Sequence, residues 1–137
     1  ILLSQAVQRQ ALTNPGSSPA VLGASIGHTL WLGSTLQRLQ AWVTQSPQDA
    51  AAWQQMAGVA RASQQGLRAL RAEAEVQAAH LEYPGALDRL KAAQDLVRQT
   101  GSAMQARDYI EASIIDTRQR QLEALAKEVS REQALQR

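Results

Sequence analysis

Residues 51–60 read Ala51-Ala52-Trp53-Gln54-Gln55-Met56-Ala57-Gly58-Val59-Ala60, and beyond Gly66-Leu67 the chain runs Arg71-Ala72-Glu73-Ala74-Glu75-Val76-Gln77-Ala78-Ala79. Tyr83-Pro84-Gly85 then leads into Ala86-Leu87-Asp88-Arg89-Leu90-Lys91-Ala92-Ala93. Large apolar side chains recur three and four apart, which places them on one stripe of an α-helix. Alanines and glycines fall where two helices would touch closely. This stretch predicts short helices joined by tight turns and packed through small residues, and it sets the fold class as all-α.

The rest of the composition agrees. The chain has 137 residues, long enough for one domain with a real core. β-Branched and aromatic residues are scarce, with no Phe, which argues against a sheet. The net charge of +2 is slight, and acids and bases intermingle from Asp49 onward as they do on solvated helix faces. No basic stripe with interleaved aromatics is present, so nucleic acid is not an expected partner. Absence of Cys removes disulfides and thiolate metal sites. No apolar run is long enough to span a bilayer. The chain starts at Ile1, inside what reads as a helix, and is expected to be a piece of a longer protein.

Taken in order, Leu3, Val7 and Ala11 mark a helix over about 2–12, broken by Thr13-Asn14-Pro15-Gly16. Ser18-Pro19 reads as an N-cap followed by Pro in the first turn. Two helices are expected next, 19–32 and 34–45, interrupted at Gly33-Ser34. Gly23 and Gly27 would admit a close neighbour. Asp49 is a plausible cap for a helix over 50–64, with Gln64-Gln65-Gly66 as the turn. Helices over 67–81 and 84–99 follow, the latter ending at Gly101. The last and longest runs over 103–129, with Ile115, Leu122 and Val129 seven apart, before a polar tail at 131–137 that frays. Trp31, Trp42 and Trp53 are expected in the core. His28 and His80 read as packed or surface residues without a ligand role. Asp108, Glu111 and Asp116 read as a solvated flank.

Trp53-x2-Met56-Ala57-x2-Ala60 and Ala86-x3-Leu90-x2-Ala93 resemble the tetratricopeptide (TPR) pattern, and Pro15 and Pro47 lie 32 residues apart, near the TPR period of about 34. That resemblance implies a right-handed superhelix of antiparallel helix pairs with a long C-terminal helix. Between 53 and 125 the order of pieces is similar to the C-terminal domain of BepA-type periplasmic zinc metallopeptidases. The pieces are the Trp53-led helix, Arg71-Ala72-Glu73-Ala74-Glu75, the turn into Ala86-Leu87, and the closing Ala112-Ser113-Ile114-Ile115-Asp116-Thr117-Arg118-x3-Leu122. The resemblance implies a periplasmic location and a parent zinc protease. It also implies a non-catalytic domain that engages substrate or the outer-membrane assembly machinery and limits access to the protease site. The protease motif H-E-x-x-H is absent from this chain, so zinc is expected only in the parent and no cofactor here.

In a TPR array the first helix of each pair lines the concave side. If Trp53 is the fourth residue of its repeat, those positions are Gln54, Gly58 and Arg61, and in the overlapped register Arg68, Arg71 and Glu75 follow. They would form a polar groove with a basic bias, suited to an acidic or extended peptide. The Lys and Asn of a carboxylate clamp are missing. Arg118, three after Ile115 and four before Leu122, points toward the buried seam and needs a carboxylate there, with Glu73, Glu75 or Asp88 as the candidates. The alternatives are a TPR adaptor or co-chaperone unrelated to proteolysis, and a homodimer through the last helix. No nucleophile–base pair, metal cluster or phosphate loop supports an enzyme.

Overall fold

The computed structural model describes residues 19–137, with side-chain surroundings from residue 25 onward. The helix expected over 2–12 and the Pro15 turn lie outside the described residues. Five α-helices follow in order: α1 (Pro19–Gln45), α2 (Ala50–Ala62), α3 (Gly66–Ala79), α4 (Tyr83–Thr100) and α5 (Ala106–Leu135). A 3-10 turn over Gly101–Ala103 precedes α5, and no strand occurs among the described residues.

Each helix packs on the next, so the short turns fold the chain into successive antiparallel hairpins. α3 also meets α5, whereas α2 and α4 do not touch, so α3 sits centrally with α2 and α4 standing apart above it. Two apolar clusters fill the stack. Leu36 and Val43 of α1 meet Trp53, Met56 and Ala60 of α2 and Ala69 and Ala72 of α3. Leu67, Ala74 and Ala78 of α3 meet Ala86, Leu90 and Ala93 of α4 and Ile115 and Leu122 of α5. Ala60, Ala72, Ala74, Ala86 and Ala93 are fully buried, so backbones approach closely where the sequence is small. Met56, Leu90, Ile115 and Leu122 are fully enclosed, each contributing about 1.5–3 kcal/mol relative to exposure.

The turns differ from expectation in instructive ways. α1 is one continuous helix, and Gly33-Ser34 does not break it. A single glycine costs a helix only about 1 kcal/mol, and Leu32 and Leu36 on either side are both buried against the stack. At the α2–α3 turn the left-handed residue is Gln64, not Gly66, which already belongs to α3. Gln65 N–H donates to Ala60 O and Gln64 N–H to Arg61 O, the paired bonds of a Schellman motif. The α3–α4 turn repeats this motif with Leu81 at φ 60°, Glu82 N–H donating to Gln77 O and Leu81 N–H to Ala78 O. Pro84 therefore lies inside the first turn of α4, where its missing N–H is not needed. α5 starts at Ala106, later than expected, because Asp108 accepts from the backbone N–H of Gln105 at 3.2 Å and caps it. It also continues to Leu135, past the expected end at 129.

Two tryptophans expected in the core are exposed, Trp31 at 56% and Trp42 at 53%, because the α1 face that packs on the stack carries Leu36 and Val43 instead. Trp31 stacks on His28, which is also exposed, with ring centroids 6.3 Å apart. Trp42 donates its indole N–H to Asp49 Oδ2 at 2.8 Å. Asp49 Oδ1 accepts from Ala52 N–H at 3.1 Å, so this residue caps α2 and ties it to α1. Buried Trp53 donates to Pro47 O at 2.8 Å and fixes the same corner. No neighbour lies within 4 Å of where a Cβ on Gly27 would stand, so the close approach expected there does not occur.

Candidate functional site

The residues expected to share one groove divide between two faces of the stack. Arg68, Arg71 and Glu75 are three and four apart on α3 and face α5. Glu111 accepts from Arg68 Nε at 3.2 Å, from Arg71 Nε at 2.7 Å and from Arg71 Nη2 at 3.3 Å. Seven residues on, Arg118 donates to Glu75 through Nε at 2.6 Å and Nη2 at 3.0 Å. Partners offset by the same 43 positions on both helices require α3 and α5 to run parallel. Arg71 and Glu111 are buried, Arg71 extends toward Gln40 of α1, and its guanidinium lies 5.4 Å from the Trp53 ring centre.

This cluster corrects three expectations. Arg68, Arg71 and Glu75 do not line the groove with Gln54 and Arg61, because burial against α5 already engages their charges. The basic bias assigned to them is cancelled by Glu111. Glu111 itself is 5% exposed and not a solvated flank. Its position seven before Arg118 and four before Ile115 was the signal in the sequence, since those spacings share one helix face. Of the three carboxylates considered for Arg118, Glu75 is its partner. Asp88 is exposed, and Glu73 points the other way.

Gln54, Gly58 and Arg61 instead line an open groove between α2 and α4, floored by α3. Glu73, Val76 and Gln77 of α3, His80 just after it, Glu82 just before α4 and Arg89 in the second turn of α4 complete it, and its volume is about 650 Å³. Glu73 pairs with Arg61 from one wall, and Arg89 Nε from the other lies 3.7 Å from its second oxygen. Both arginines are more than half exposed, while Glu73 is 21% exposed. Gly58 has nothing within 4 Å of a virtual Cβ, so the α2 backbone is bare at the groove's edge. The sequence reading named the α2 side of this groove. It missed Glu73, Gln77 and Arg89, which join the groove only because α4 stands clear of α2.

Among the described residues, no group of three His, Cys, Asp or Glu side chains is placed to hold a metal, and no helix is long and apolar enough to cross a membrane. Comparison with known protein families, with curated proteins and with solved structures returns no match.

Proposed function

We propose that the chain is a non-catalytic, TPR-like protein-interaction domain that holds an extended segment of another protein in the groove between α2 and α4. The observation that carries this reading is the groove itself. It is open, polar and about 650 Å³, and side chains from three helices line it over a packed floor. Rigid helix faces that present dispersed polar groups suit recognition of an extended chain, with modest affinity. The resemblance to BepA-type metallopeptidases supports placing the domain in the periplasm beside a zinc protease, with substrate or outer-membrane assembly proteins as partners. An H-E-x-x-H segment encoded upstream of Ile1 is the expected finding, and its absence would leave the adaptor reading.

Gly58→Trp tests the groove directly. A side chain there meets open space, and replacing a mid-helix Gly favours the helix, so the fold should survive. A photo-crosslinking residue at Gln54 should capture a discrete partner in cells, one at Lys127 should not, and Gly58→Trp should abolish the adduct. Equal adducts from both positions would remove the groove from the function.

A further inference from the structure

We infer that the α2–α4 groove selects an acidic segment, through a pair of arginines that share a single carboxylate. This rests on the reading of the groove as a protein-binding site. Glu73 stands between Arg61 and Arg89, so two guanidinium groups converge on one fixed negative charge. Within this trio one positive charge is left over. Glu82, the other acid of the groove, is the N-cap residue of α4 and sits exposed at its end.

The donors are also unspent. A guanidinium carries five N–H donors in a planar fork. Arg61 meets Glu73 through Nη2. Arg89 is beyond hydrogen-bond distance of Glu73 at 3.7 Å, and its side chain makes no hydrogen bond among the described residues. A carboxylate entering the groove could therefore take two parallel N–H donors from Arg89 without breaking an existing bond. Glu73 lies 3.7 Å from the Arg89 Nε, close enough to attract the guanidinium without engaging its donors. The side-chain amides of Gln54 and Gln77 make no hydrogen bonds among the described residues either, and each offers one donor and one acceptor set, as a peptide unit does. Bare backbone at Gly58 lets a partner's main chain lie close to α2. The occupant that fits is an extended stretch of a partner protein carrying Asp or Glu.

The test is a randomised peptide library displayed on phage and panned against the folded chain. Three variants run beside it: Arg61→Glu/Arg89→Glu, Gly58→Trp, and Lys127→Glu/Arg131→Glu on the exposed end of α5 as a control with the same change of charge. Wild type and the α5 control should recover peptides enriched in Asp and Glu. Arg61→Glu/Arg89→Glu should recover peptides enriched in Lys and Arg, and Gly58→Trp none. A recovered peptide with its acids changed to amides should bind wild type about tenfold or more weakly, the scale of a lost charge-assisted hydrogen bond. Peptides enriched without surplus acid, yet lost with Gly58→Trp, would overturn the acidic preference and leave the groove standing. Enrichment that survives Gly58→Trp, or none with wild type, would remove both.

Discussion

Glu111 is the residue on which the largest single effect is expected. It is the only carboxylate that the buried Arg71 guanidinium meets among the described residues, and it accepts three N–H donors. Removing one partner of a buried pair leaves an uncompensated charge, so Glu111→Ala should cost about 3–5 kcal/mol in urea denaturation. Arg118→Ala should cost less, about 1–3 kcal/mol, because Arg118 is 29% exposed and water can reach the carboxylate it leaves behind. Equal losses from the two would show that burial does not set the scale. Asp49 gives a pH dependence. The indole N–H of Trp42, and then the Ala52 N–H, hold its carboxyl below its ordinary value. A carboxylate with a lowered pKa stabilises the fold above its unfolded pKa and loses that contribution as pH falls through the folded value. The difference in melting temperature between wild type and Asp49→Ala should therefore be present at neutral pH and shrink below about pH 4. A difference that is constant across that range would mean the charge plays no part.

At the scale of the element, the turns show how far local signals reach. Asp49 before α2 and Gly101 after α4 could be read directly, since a cap and a helix stop depend on neighbours in sequence. Gln64 and Leu81 could not. They occupy left-handed positions that favour glycine, and they do so because the packing of α2 on α3 and of α3 on α4 imposes the reversal. Leu81 is also 73% exposed, so its side chain contributes little by burial. Leu81→Gly should relieve the backbone and raise stability by about 0.5–1 kcal/mol, measured as a shift in the urea midpoint. A loss of stability would show that Leu81 makes contacts that outweigh its conformation.

For the whole molecule, the long outer helices exceed what the stack covers. α3 has 14 residues, whereas α1 has 27 and α5 has 30. The excess leaves Ile26, Leu30 and Trp31 exposed on α1, and residues 127–137 exposed on α5. Deleting residues 130–137 should therefore change stability by less than about 0.5 kcal/mol, as expected of surface positions. A larger loss would mean that the end of α5 is held by contacts within the fold. Val129 shows the same limit. It continues the spacing of Ile115 and Leu122, yet it is 37% exposed where they are fully buried, because α5 has passed the end of its neighbours.

The helical class, the alanine-lined contacts, the cap at Asp49 and the need of Arg118 for a carboxylate were all legible in the order of residues. Each depends on periodicity or on chemistry within a turn or two of the same helix. Which carboxylate met Arg118, where the charges of α3 went, and which wall faced Gln54 and Arg61 were settled by how the helices lie against one another. An arginine carries the same charge on either face of α3. Rotation and spacing of the packed helices put Arg68 and Arg71 against Glu111, and left Arg61 and Arg89 with one carboxylate between them in the open groove.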